Sequence, residues 1–214
     1  MSEFMKRMIT ASILIIIGSL IYFYASPLSI SCLLLTMLCS ILWFEYRPLF
    51  KVRAFTSYCA LALILCGFAA LIIINQHGHR LFPLPFILAT LADSGGYIVG
   101  HLTGKRAIAP TISPKKTIEG FIGSCICTTI GFLMWIYFLR ASSNLEIVWN
   151  ASTMAPLIAV GIACAFAGLL GDLCISKLKR NAGVKDTGSL LPGHGGLLDR
   201  LDSVLAIALL LFFL

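Results

Sequence analysis

Five stretches of this chain come close to the ~20 mainly apolar residues that an α-helix needs to cross the hydrocarbon of a bilayer. They are Ile9 to Tyr24, Leu28 to Phe44, Ala54 to Asn75, Ile118 to Leu139 and Thr153 to Ile175. Two weaker runs accompany them. Leu84 to Gly100 carries Asp93 in its middle, and Val204 to Leu214 falls short of the hydrocarbon thickness at ~1.5 Å per residue unless its helix reaches back through Leu197. With 59% apolar and 12% charged residues, the chain lacks the polar groups to cover a water-soluble surface. A mean hydropathy of +0.97 agrees. The expected fold is therefore all-α: a polytopic integral membrane helical bundle of about seven transmembrane helices.

Placing the N-terminus in the cytoplasm and alternating the spans sends Lys6, Arg7, Arg47, Lys51, Arg53, Lys105, Arg106, Lys115, Lys116, Lys177, Lys179, Arg180, Lys185 and Arg200 inside. Only Arg80 and Arg140 fall outside. The positive-inside rule supports that orientation. A basic cytoplasmic face attracted to anionic headgroups accounts for the net charge of +7, with no nucleic acid as partner. The first run follows Lys6-Arg7 as a signal peptide would, but no small-x-small cleavage site closes it, so a retained anchor is expected. All eight cysteines lie in apolar runs and read as small core residues rather than metal ligands.

The carboxylates carry more information. Asp93, Glu119, Asp172, Asp199 and Asp202 lie in or at the ends of apolar runs, where a charge at a helix centre costs ~2.5–3.5 kcal/mol on insertion scales. Asp199 and Asp202, three apart, share a helix face, with Arg200 turned away by about 100°. Two like charges so close repel unless a cation lies between them. A divalent metal would supply it, and Asp172 could reach the same place from the preceding span, giving three oxygen ligands of the kind Mg²⁺ prefers. The alternative is that both pair with Arg200 and Lys177 at the interface. Between Asp172 and Asp199 a cytoplasmic loop is expected, with glycines that let backbone N–H groups approach an anion and with Lys179, Arg180 and Lys185 to attract a polyphosphate. The run Gly193-His194-Gly195-Gly196 suits the same task.

A second polar island spans Leu91 to Gly120. Gly96, Gly100 and Gly104, spaced by four, form a small-residue face for helix packing, which turns the neighbouring Asp93 toward the bundle. Ser113-Pro-Lys-Lys-Thr places a hydroxyl ahead of a new helix with Glu119 in its first turn. The plain alternative for Lys116 and Glu119 is a capped helix start with snorkelling lysines.

The segment Ser176 to Asp202, SKLKRNAGVKDTGSLLPGHGGLLDRLD, resembles the signature of phosphatidate cytidylyltransferases, the CDP-diacylglycerol synthases. Ser176, Lys179-Arg180, Lys185-Asp186, Gly188, Pro192, His194-Gly195-Gly196, Asp199-Arg200 and Asp202 fall at the family's spacing. Ala92-Asp93-Ser94, Gly104-Lys105 and Ile112 to Gly120 are also similar, so the resemblance runs from about Leu84 to Leu214. Gly96, His101 and Thr103 depart from the residues usual there, which bears on local packing and one phosphate contact.

The resemblance implies the reaction of CTP with phosphatidic acid to give CDP-diacylglycerol and pyrophosphate. It implies a catalytic set of Asp172, Ser176, Lys179, Lys185, Asp199 and Asp202, with Mg²⁺ and room for a second cation on Asp172, Asp199 and Asp202. Substrate contacts would come from Asp93, Lys105, Ser113, Lys116, Arg180, Asp186, His194, Gly195, Gly196 and Arg200. A phosphomonoester is already ionised near neutral pH, so His194 reads as a loop-positioning or phosphate-contacting residue rather than a base. Residues 1–83 would form N-terminal transmembrane helices and 84–214 the catalytic transmembrane domain, with a cytoplasmic signature loop over 176–200. The expected location is a bacterial cytoplasmic membrane, with the site facing the cytoplasm and membrane lipids around it. Glycine faces and the short last helix also suit a homodimer partner.

Two other classes fit less well. An enzyme activating another lipid phosphate shares the chemistry, but a CDP-alcohol phosphotransferase normally carries an acidic motif beginning Asp-Gly, absent here. A secondary transporter would gather its polar groups near the midplane in paired repeats; here they collect on one side.

Overall fold

A computed structural model describes residue 16 and residues 18–50, 55–143, 150–188, 190 and 195–214. Among the described residues, after a helical stretch that ends at Tyr24, six helices follow: α1 (Pro27–Leu49), α2 (Phe55–His77), α3 (Leu84–Thr103), α4 (Ile118–Ser143), α5 (Ala151–Asn181) and α6 (Leu198–Phe212). Four of them, α1, α2, α4 and α5, are long and apolar enough to cross a membrane. Half of the expected first span, Ile9 to Tyr24, falls outside the described residues, and the described half is helical. α3 has the length of a span, but Asp93, Ser94 and His101 interrupt its apolar run, and α6 has only 15 residues. The chain is thus helical and polytopic.

One short element is not helical. Between α3 and α4 lies a short antiparallel hairpin of β1 (Ala107–Ala109) and β2 (Ser113–Thr117), with Ala107 opposite Thr117 and Ala109 opposite Ser113. Pro114 has no N–H to give and disfavours helix at Ser113, so the strand persists until Thr117. There the helix starts properly: Thr117 Oγ1 accepts the Gly120 N–H at 3.1 Å, the N-cap arrangement.

By compactness the described chain divides into two discontinuous units. The first joins residues 1–82 with Cys174–Asp202, and the second joins Pro83–Leu173 with Ser203–Leu214. The signature segment therefore clusters with the N-terminal helices, not with the stretch that precedes it in sequence.

In the first unit α1 and α2 are tied at both ends. Asn75 Nδ2 donates to Pro27 O at 2.7 Å and to Ser31 Oγ at 3.1 Å, while the Tyr46 hydroxyl donates to Ser57 O at 2.7 Å. Such polar ties replace the hydrophobic drive that helices lack in lipid. Ile41–Tyr46 is wound as a π-helix, with the Arg47 N–H bonded to Leu42 O. A wider turn of this kind re-aims the side chains it carries.

In the second unit α3 and α4 pack backbone to backbone. A Cβ on Gly95 would stand 2.6 Å from Gly123 O, and one on Gly120 would stand 2.8 Å from Gly96 O. The small-residue face thus finds its partner in Gly120 and Gly123, and Ser124 Oγ adds a bond to Ala92 O at 2.6 Å. The opposite face of α4 presents Ile118, Ile122, Ile126, Ile130 and Met134, all exposed and four residues apart. A helix apolar on every side is one that meets lipid. The cysteine expectation needs correction on the same ground. Only Cys164 is buried, while Cys32, Cys39 and Cys66 are exposed on apolar helices, where a thiol faces lipid at no cost.

Candidate functional site

The polar residues gather in one cluster within each unit. In the second unit a cavity of about 280 Å³ lies beside Asp93 and Tyr97 of α3, Ser113, Lys115 and Lys116 of β2, and Ser124 of α4. Lys116 forms an ion pair with Asp172 of α5, both side chains about a quarter exposed. The snorkelling alternative for Lys116 therefore does not describe it. Glu119 is equally engaged: its Oε2 accepts the backbone N–H groups of Lys105 at 3.0 Å and Arg106 at 3.3 Å. That fixes the turn into the hairpin and with it the position of Lys105, which lies outside the cavity wall.

The first unit holds a denser arrangement. The structure corrects the expected 176–200 loop here, because α5 continues to Asn181. Ile175 and Leu178 bury its inner face, and Lys179 and Arg180 in its last turn oppose the negative helix end. The helix then closes through Gly183, whose φ of 72° suits glycine. Lys179, carried by this overhang, donates from Nζ to Asp199 Oδ1 at 2.7 Å. Asp199 Oδ2 accepts two backbone N–H groups, Thr187 N at 2.9 Å and Gly196 N at 3.2 Å, and stands 3.0 Å from the Thr187 hydroxyl, whose one proton it shares with a second carboxylate. The cation on Asp199 is thus Lys179 rather than Arg200.

Glu45 completes the cluster, and sequence reasoning missed it. Its side chain, 0% exposed, reaches from the π-helical turn of α1 to the start of α6. Oε1 accepts Leu197 N at 2.6 Å, and Oε2 accepts Leu198 N at 2.8 Å and Thr187 Oγ1 at 2.9 Å. Two carboxylates, Glu45 and Asp199, therefore sit at the positive end of α6, where negative charge is favoured. The available signal was an acidic residue one position past an apolar run, in Trp-Phe-Glu-Tyr-Arg.

Glycine is required around this group. A Cβ on Gly196 would overlap Thr187 Oγ1 and stand 2.9 Å from Glu45 Oε2, and one on Gly188 would meet Glu45 Cγ at 3.0 Å. Gly195, at φ 82°, turns the chain beside Asp186. Ser176 and Asp202 are buried on α5 and α6, whereas Arg180, Lys185, Asp186 and Arg200 are exposed around the cluster. His194 lies outside the described residues.

Carboxylate oxygens at Asp172, Asp199 and Asp202 are the donors Mg²⁺ takes. In this arrangement lysine ammonium groups stand on two of them, Lys116 on Asp172 and Lys179 on Asp199. Among the described residues no three His, Cys, Asp or Glu side chains form a group that could hold a metal ion.

Residues 2–214 match the model of the Cytidylyltransferase family. Proteins named phosphatidate cytidylyltransferase from Staphylococcus haemolyticus (strain JCSC1435) and Staphylococcus aureus (strain COL) are each 40% identical over 152 residues. One from Staphylococcus saprophyticus is 39% identical over the same length. Each alignment takes in 71% of this chain and 55% of the relative, so the chain spans about half the length of the curated relatives it matches. With a family model matched along nearly all of its length, the chain belongs to the cytidylyltransferase family.

Proposed function

We propose that this chain is a CTP:phosphatidate cytidylyltransferase, which transfers CMP from CTP to phosphatidic acid and gives CDP-diacylglycerol and pyrophosphate. The observation that carries the reading is the folding of Lys179, Thr187 and Gly196 onto the Asp199 carboxylate, which gathers residues of the 176–202 signature at one helix start. The names of the relatives, each a phosphatidate cytidylyltransferase, support the same substrate pair.

In the reaction a phosphate oxygen of the lipid attacks the α-phosphorus of CTP in line. A new P–O bond forms, the bond from the α-phosphorus to the bridging oxygen breaks, and pyrophosphate leaves with the electron pair. The attacking phosphate is ionised near neutral pH and needs no general base. Both reactants are anions, so the protein's work is to neutralise and align them. Lys115, Lys116 and Ser113 would meet a phosphate at the cavity of the second unit. That cavity is smaller than the ~300–1,000 Å³ usual for whole small-molecule ligands, so it suits a headgroup. Lys179, Lys185 and the glycine-rich backbone before α6 would steady the triphosphate. Mg²⁺ is proposed from the sequence alone, for all three of Asp172, Asp199 and Asp202, and there it would neutralise phosphate charge. The setting is a bacterial cytoplasmic membrane, with the N-terminus and the reacting groups on the cytoplasmic side and about seven spans.

The test is an isotope assay of the purified protein with labelled CTP and phosphatidic acid, first with Mg²⁺ and then with EDTA. A labelled liponucleotide that disappears with EDTA is expected. No liponucleotide with any divalent cation would overturn the reading.

A further inference from the structure

Glu45 belongs to no part of the signature, yet it makes three of the bonds that shape the start of α6. Its carboxylate is fully buried. A charge in that position is retained only where its acceptor sites are filled, and here backbone and hydroxyl donors fill them. The Leu197 and Leu198 N–H groups are among those a helix start leaves without partners, and both end on Glu45. Thr187 links the two carboxylates: its hydroxyl stands 2.9 Å from Glu45 Oε2 and 3.0 Å from Asp199 Oδ2, while its N–H is committed to Asp199. A Cβ at Gly188 or Gly196 would crowd the Glu45 side chain, so the backbone there comes as close as it can.

We propose that Glu45 is a positioning residue for the nucleotidyl-transfer site: it fixes the first turn of α6 and, through Thr187, the orientation of Asp199, without touching substrate. The π-helical turn of Ile41–Tyr46 is the device that brings it there, because one residue more per turn rotates Glu45 relative to the α-helical path. The catalytic consequence rests on the proposed cytidylyltransfer, whereas the structural consequence does not.

The experiment therefore has two readouts. In hydrogen exchange on the full chain in detergent, Glu45→Gln is expected to speed exchange at the Leu197 and Leu198 amides at least tenfold. Amides of α3 and α4 should keep their rates. Unchanged protection at Leu197 and Leu198 overturns the proposal, whatever the activity of the wild type. In the liponucleotide assay, Glu45→Gln is expected to lower kcat more than tenfold with KM for CTP within threefold, and Glu45→Asp to recover part of kcat. A loss confined to KM, or full kcat in Glu45→Gln, overturns it. Thr187→Val leaves Glu45 in place and gives a second route. Combined with Glu45→Gln it should cost less than the product of the two single losses, since both act through Asp199. A fully multiplicative double variant would break that link. A wild type that forms no liponucleotide counts against the cytidylyltransfer reading alone, and the exchange experiment still decides the role of Glu45.

Discussion

At the residue scale, Asp199 is the side chain whose loss should be felt most. It takes a lysine and two backbone N–H groups on two oxygens, with a share of the Thr187 hydroxyl. Asp199→Asn keeps the shape but strips Lys179 of its counter-charge and turns an NH₂ toward donors. Turnover in the CTP and phosphatidic acid assay should fall more than tenfold, with membrane insertion unchanged. Lys116→Met takes the ammonium group away from the Asp172 carboxylate and removes a cation from the cavity wall. It should raise KM for phosphatidic acid at least fivefold and leave KM for CTP nearly unchanged, as steady-state kinetics in mixed micelles would read. Lys179 and Asp199 each stood out in the sequence because both lie in one signature, but their pairing across 20 residues did not. Glu45 was not, because its partners lie 142 to 153 residues away and no local spacing links them.

At the scale of elements, hydrophobic run length predicted the helices well, since lipid leaves an apolar segment no other way to satisfy its backbone. It predicted their ends less well. α5 outruns its apolar stretch because basic residues are favourable at a helix C-terminus, and a strand leads up to the Thr117 cap because Pro114 holds the chain extended. The spacing of Gly96 and Gly100 did announce a packing face, and the partner face on α4 gives it a test. A Cβ on Gly123 would stand 2.6 Å from Gly95 O, so Gly123→Val must push α3 and α4 apart. The midpoint of thermal unfolding in detergent should drop by several degrees. Ile122→Val, one residue away and more than half exposed on the lipid side, should leave that midpoint nearly unmoved, because surface substitutions usually change stability by less than ~0.5 kcal/mol.

At the scale of the whole molecule, the basic residues make a prediction about orientation. Lys115→Cys, in a chain with its native cysteines replaced, should react with a membrane-impermeant thiol reagent only when the cytoplasmic side is opened. Arg140→Cys should react from outside in intact cells. The reverse pattern would invert the proposed orientation. The proposed orientation comes from the charge distribution alone, because the positive-inside rule counts residues and needs no packing. The division into units was not legible, since it places Cys174–Asp202 with a segment that ends at Phe82, far earlier in the chain.

The length of α5 has a consequence for how the two reactants meet. Its 31 residues extend ~46 Å at 1.5 Å each, against ~30 Å of hydrocarbon. Where its axis runs near the bilayer normal, several turns must stand clear of the acyl chains, and the charged end bearing Lys177, Lys179 and Arg180 is the one that water receives. On the proposed reading, the triphosphate waits at those lysines on the aqueous side, while a diacyl substrate keeps both tails dissolved in its leaflet and slides in sideways. No step of the cycle would then require lifting a lipid out.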